Sequence, residues 1–98
     1  MVRAVNVVSR KQIKNIICAV FLNECDLAIR VFTQESNLNS KAIGDHGNSI
    51  GIAQIHLPAH KNKVNCDLFE PECNIRLAKQ IRDSSGWGAW SVYRNKTF

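Results

Sequence analysis

Four cysteines in a 98-residue chain, at positions 18, 25, 66 and 73, constrain this sequence more than any other feature. They form two C-x6-C spacings, unlike the C-x2-C of a zinc ribbon. An even cysteine count in so small a domain reads as a disulfide protein from an oxidising compartment, extracellular or periplasmic. Four cysteines can pair in three ways. Residues seven apart on one continuous helix lie about 10.5 Å apart. Bridged Cα atoms sit within about 7 Å. Cys18 and Cys25 can therefore bridge only if the chain bends between them, near Asn23. The segment from Cys66 to Cys73 contains Pro71 and folds back easily, so at least this pair is expected to be bridged.

The length suits one domain, 1–98, with residues 1–8 a flexible lead-in. A 45% hydrophobic and 21% charged composition argues against disorder. No apolar run approaches the ~20 residues of a membrane span, so no membrane insertion is expected. Arg3, Arg10, Lys11 and Lys14 precede the apolar run 16–22 and mimic a signal peptide, but the run is short and no small-residue cleavage site follows. No signal peptide is therefore visible: any export signal is removed before this numbering begins, or export uses another route. The net charge of +5 favours a polyanionic partner. The 13 Lys and Arg are scattered and show no aromatic-basic motif, which argues against nucleic acid.

The pattern is mostly helical. Ser9 is a plausible N-cap for a helix over about 10–22, with Ile13, Ile16, Ile17, Val20 and Phe21 at helical spacing. A break at Asn23-Glu24 leads to a second helix over about 25–36, with Leu27, Ala28, Val31 and Phe32 inward. Residues 37–50 read as a loop. The apolar stretch 50–56 reads as helix or strand, ended by Pro58. Residues 59–69 read as an irregular crossing. Pro71 opens a helix over about 71–84, with Ile75, Ala78 and Ile81 inward, and Gly86 or Gly88 stops it.

Glu35 stands out on this frame. It lies about 20° from Ala28 and about 40° from Val31 around its helix, on the buried stripe. It also sits in the last turn, where the helix dipole disfavours a negative charge. Both effects raise a carboxyl pKa, as a general acid requires. The plainer reading is a solvated residue just past the helix end.

The residues after it carry a resemblance. Glu35-Ser36 is followed by a glycine-bearing loop, Gly44-Asp45-His46-Gly47-Asn48, and by Ser49-Ile50-Gly51-Ile52-Ala53-Gln54-Ile55. Further on stand Glu70-Pro71-Glu72-Cys73-Asn74-Ile75 and Gly86-Trp87-Gly88-Ala89-Trp90-Ser91-Val92-Tyr93. In order and spacing, this set resembles the lytic transglycosylase (SLT domain) and goose-type lysozyme family over about residues 25–93. Ala53 stands where that family usually has Met, and the family's Ala-Tyr-Asn-Ala-Gly is replaced around Tyr93-Arg94-Asn95.

The resemblance implies a mainly α, lysozyme-like fold with an irregular or short-β region beside a saccharide cleft. It implies cleavage of the β-1,4 bond between N-acetylmuramic acid and N-acetylglucosamine in peptidoglycan, with Glu35 as the acid and no cofactor or metal. Ser49 and Gln54 would line the cleft and bind sugar, Asn74 would open the later helix and point inward, and Tyr93 would orient the acid. Each has an alternative. Ser49 could cap a helix, Gln54 could be a packing amide, and Asn74 could bond backbone at the helix start. Trp87 and Trp90 read as core or cleft floor before sugar platforms. His46, His56 and His60 with Cys66 make a poor metal set, because Pro58 breaks the helix between the last two histidines. Asp45 is either a turn former or the second carboxylate of an inverting hydrolase; a product with a 1,6-anhydro end, made by one acid, is the favoured expectation. An inactive glycan-binding module is the non-enzymatic alternative, and the intact Glu35 argues against it. A phage lysin, a secretion-machine accessory and a wall remodeller all fit this chemistry, as does a monomer.

Overall fold

The apolar spacing near the N-terminus produces a helix, α1 (Arg10–Phe21), in the computed structural model, which describes residues 8–97. The expected lead-in lies outside the described residues except for Val8, which is half-buried and packs against the core. Ser9 caps α1 through a reciprocal box: the Gln12 amide donates to Ser9 Oγ at 3.1 Å, and the Ser9 amide donates to Gln12 Oε1 at 2.9 Å. Ile13, Ile17 and Phe21 bury the inner stripe against α2 (Cys25–Ser36) and α4 (Pro71–Ser85). Each such side chain contributes about 1.5–3 kcal/mol by leaving water.

The chain breaks where the sequence suggested. Leu22–Glu24 form one 3-10 turn, and Leu22 takes a positive φ of 54°. The bend brings the Cα atoms of Cys18 and Cys25 to 4.6 Å, and these two are bridged. Cys66 and Cys73 form the second disulfide, with Cα atoms 6.0 Å apart. Each closes a short loop, for about 2–2.5 kcal/mol in the chain-entropy account. Reduction is expected to lower the melting temperature. Alkylation of the denatured, unreduced chain should leave its mass unchanged; a mass gain of four alkyl groups would refute both bridges.

Glu24 fastens the bend to the rest of the molecule. Its carboxylate accepts two hydrogen bonds from Arg82 of α4, at 2.8 and 2.9 Å, and one from Trp87 Nε1 at 3.3 Å. The Arg82 guanidinium holds the Glu24 carboxyl below its ordinary range. Beneath this clamp Phe21, Phe32, Trp87 and Trp90 form an aromatic cluster, with neighbouring ring centroids 5.3–6.1 Å apart. Both tryptophans are buried, in keeping with the core reading.

Residues 37–56 are more ordered than the expected loop. Three two-residue strands, β1 (Ile43–Gly44), β2 (Ser49–Ile50) and β3 (Ile55–His56), form an antiparallel sheet in that order. Gly44 pairs with Ser49, and Ser49 with His56. Residues 51–54 are turn, so the apolar stretch 50–56 becomes strand, turn and strand. A correction follows at Pro58. The stretch stops at His56 as expected, but Pro58 does not break a helix before His60: it occupies the first turn of a short helix, α3 (Leu57–His60), where its missing N–H costs nothing. Pro71 starts α4 as expected, and Gly86, with φ 74°, ends it. The tail adds a 3-10 turn over Trp87–Ala89 and a short helix, α5 (Ser91–Arg94), which packs on α2. The protein is therefore mainly helical with one small antiparallel sheet, and among the described residues no helix is long and apolar enough to cross a membrane.

Candidate active site

The end of α2 is built to bring Glu35 against the sheet. Asn37 caps the helix in the left-handed region, and Leu38 follows at φ 58° and turns its side chain into the core. Arg10 of α1 holds the turn by donating to the Asn37 carbonyl at 2.7 Å and to its side-chain oxygen at 2.8 Å. Ser36 Oγ donates to the Ile52 carbonyl at 2.7 Å, tying the last turn of α2 to the β2–β3 turn. Ser36 was part of the sequence motif, but nothing in the sequence gave it this role.

Asn74 supports the same turn from below. It is fully buried. Its Oδ1 accepts from the Ala53 amide at 2.9 Å, and its Nδ2 donates to the carbonyls of Ile50 and Leu68 at 3.0 and 2.9 Å. Asn74 points inward from the start of α4 and binds backbone, as the plainer alternative had it, and it is not among the residues that line the cavity. Gly51 is the residue it packs on. At φ 78°, a Cβ there would collide with Asn74 Nδ2 and the Leu68 carbonyl. Only glycine allows that approach.

Glu35 opens into a cavity of about 250 Å³. Asp45, Ser49 and Gln54 line it with Glu35, so four of the six expected site residues meet in one place. Burial raises the Glu35 carboxyl to about 7, and the negative charge of Asp45 adds to the rise. This is not a solvated end residue. It is a half-buried acid whose burial favours the protonated form.

Asp45 sits in a strained loop. Both it and His46 take positive φ, 52° and 56°, conformations that cost non-glycine residues energy and cluster at functional sites. Ser49 does not cap a helix. It lies in β2, 2% exposed, and its hydroxyl donates to Asp45 Oδ2 at 2.5 Å. His56 Nδ1 lies 3.4 Å from Ser49 Oγ and 3.9 Å from Asp45 Oδ2. Gln54, at φ 52°, donates from Nε2 to the carbonyls of Gly51 and Ala42, at 3.0 and 3.3 Å. It walls the cavity, but its amide N–H groups hold the loop, much as the packing alternative has it.

Tyr93 is the second departure. It is not among the cavity-lining residues; its ring lies beside Trp87, centroids 6.3 Å apart. The tail reaches the cavity instead through Trp90 and Arg94. Trp90 Nε1 donates to the Ala53 carbonyl at 2.9 Å, which turns one ring edge to the scaffold. Arg94 Nη1 donates to the Gly88 carbonyl at 2.6 Å.

His56 precedes α3 and His60 is its last residue, and both line the cavity. The sequence offers His56 and His60 as weak metal ligands with Cys66, whose sulfur is in a disulfide. His60 Nδ1 is buried without a partner, and burial, with help from Lys63 and His56, lowers its pKa. No alternation in the sequence marks His56, because β3 has only two residues. Arg94 carried no signal either.

The arrangement provides one protonatable acid in a polar cleft with a second carboxylate and two imidazoles on the walls. Comparison with known proteins finds no family model, no curated protein and no solved structure that matches the chain.

Proposed function

We propose that this protein cleaves the β-1,4 bond between N-acetylmuramic acid and N-acetylglucosamine in peptidoglycan, as a lytic transglycosylase with a lysozyme-like fold. The observation that carries the reading is Glu35: a carboxyl half-buried in a cleft and raised to about 7. It agrees with the resemblance of the motifs around it. Glu35 gives its proton to the leaving N-acetylglucosamine oxygen as the C1–O bond breaks. The Glu35 carboxylate then takes the proton of the C6 hydroxyl, whose oxygen bonds to C1. The product is a 1,6-anhydro end, and the acid is regenerated. One C–O bond at C1 is exchanged for another with proton transfer and no change of oxidation state, so the reaction needs no cofactor. The two disulfides fit action outside the reducing cytoplasm, and the +5 charge fits an anionic wall.

A second reading, hydrolysis with inversion, is favoured by one observation: Asp45 shares the cavity with Glu35. Such an enzyme would use Asp45 to activate a water. Against it stands the engagement of Asp45 Oδ2 by Ser49, in a carboxylate whose side chain is 68% exposed. Digestion of purified peptidoglycan in ¹⁸O-water separates the two. Unlabelled anhydro ends are expected. Labelled reducing ends that disappear in Asp45→Asn would overturn the single-acid route and make Asp45 the base.

A further inference from the structure

We propose that His56 is a positioning residue: through the Ser49 hydroxyl it fixes the Asp45 carboxylate on the cleft wall facing Glu35. The inference rests on the reading of Glu35 as the acid of a glycan-cleaving site.

Donor arithmetic sets the direction of the chain. Ser49 has one hydroxyl proton, and at 2.5 Å it is given to Asp45 Oδ2, since an ionised carboxylate only accepts. The 3.4 Å contact between Ser49 Oγ and His56 Nδ1 then leaves the oxygen as acceptor, so Nδ1 carries the hydrogen. The hydrogen bonds run from His56 to Ser49 to Asp45. Strand register builds this order. Ser49 is paired with His56 on one side and with Gly44, the residue before Asp45, on the other. Ser49 is 2% exposed, so its hydroxyl is shielded from competing water.

The unit matters because Asp45 hangs on an exposed loop at positive φ. Without an anchor, its carboxylate would turn to solvent. Held in place, it presents a negative charge to Glu35, which adds to the effect of burial in raising that carboxyl, and to the positive charge that develops at C1 as the glycosidic bond breaks. The other charged or titratable groups on this cavity are His60 from α3 and Arg94 from α5; Lys63 lies close enough to act on His60. Among the described residues none of these donates to Asp45; its carboxylate is held by Ser49 at 2.5 Å, with His56 Nδ1 at 3.9 Å.

The test compares His56→Ala, His56→Asn and His56→Gln, with Glu35→Gln as reference, on soluble peptidoglycan oligomers. The Asn amide can place an N–H near the Nδ1 position; the Gln amide reaches toward Nε2 instead. His56 has a side chain 48% exposed, so all three should fold, as circular dichroism checks. In His56→Ala we expect kcat to fall about tenfold or more with KM little changed, as for a small misplacement of a charged group. The alkaline limb of its pH profile should move to lower pH. Asn should restore most of the loss and Gln should not. Wild-type kcat and an unmoved profile in His56→Ala, or equal rescue by Asn and Gln, would overturn the positioning role while leaving Glu35 in place. Activity in Glu35→Gln equal to wild type would instead remove the reading on which it rests.

Discussion

Glu35→Gln is expected to stop wall lysis while the fold persists. The amide is nearly isosteric but cannot give and recover a proton, and a positioned acid typically contributes 10²–10⁴-fold to rate. Turbidity clearing of purified walls should therefore fall by about two orders of magnitude or more, with unchanged circular dichroism. Comparable clearing by a normally folded Gln variant would sink the assignment. In the wild type the acid must be protonated, so clearing should decline as pH rises through about 7. Stability should follow the same group. Its folded pKa, about 7, lies above the ordinary 4.5, so between those values the native state holds more protons than the unfolded chain. Stability from this group is intact below about pH 4.5 and is lost as pH rises toward 7. Glu35→Gln removes that loss. Its melting temperature should match or exceed wild type at pH 8 by more than at pH 4, and the opposite order would show that Glu35 is not destabilised by burial.

Asn74→Ala is expected to have the largest effect on stability. It deletes three hydrogen bonds in a fully buried place and strands the Ala53 N–H and the carbonyls of Ile50 and Leu68. Leaving such groups unpaired costs about 1–3 kcal/mol each. Even about 3 kcal/mol in total is a large fraction of the roughly 5–15 kcal/mol that holds a domain folded. For a domain near 100 residues this corresponds to a drop in melting temperature of about 12 °C or more. Asn74→Asp should do little better, since it keeps the acceptor for Ala53 but loses both donors and buries a charge. A shift under about 4 °C in Asn74→Ala would mean that the Gly51–Ala53 turn is held by something else.

The helices were legible because apolar residues at a 3.6 period and capping side chains are local signals. Ser9, the break at Leu22–Glu24, Pro71 and Gly86 all act within one turn of where they stand in sequence. The sheet was legible only as an irregular or short-β region implied by the resemblance, without its strands or their pairing. Strands of two residues are too short to show alternation, and their pairing depends on a loop whose Asp45 and His46 adopt backbone conformations usually given to glycine. Glu35 could be read from its helix stripe, but Asn74 shows the limit of the same logic. Its position said that it points inward and left backbone bonding open; it did not say that the backbone is that of the distant β2–β3 turn. At the tail, the aromatic motif could be recognised, but which rings meet the cavity is decided by the 3-10 turn at Trp87–Ala89, which places Trp90 at the wall and Tyr93 beside Trp87.

Both disulfides join cysteines only seven residues apart. The alternative pairings would span 41 to 55 residues, counted from Cys25 to Cys66 and from Cys18 to Cys73. Closing those longer loops in an unfolded chain costs about 1.5–2 kcal/mol more. Native pairing is thus favoured roughly ten- to thirtyfold before any core exists. Under oxidising conditions each pair can close correctly as it emerges, the first while α4 is still unsynthesised, with little need of an isomerase to reshuffle it.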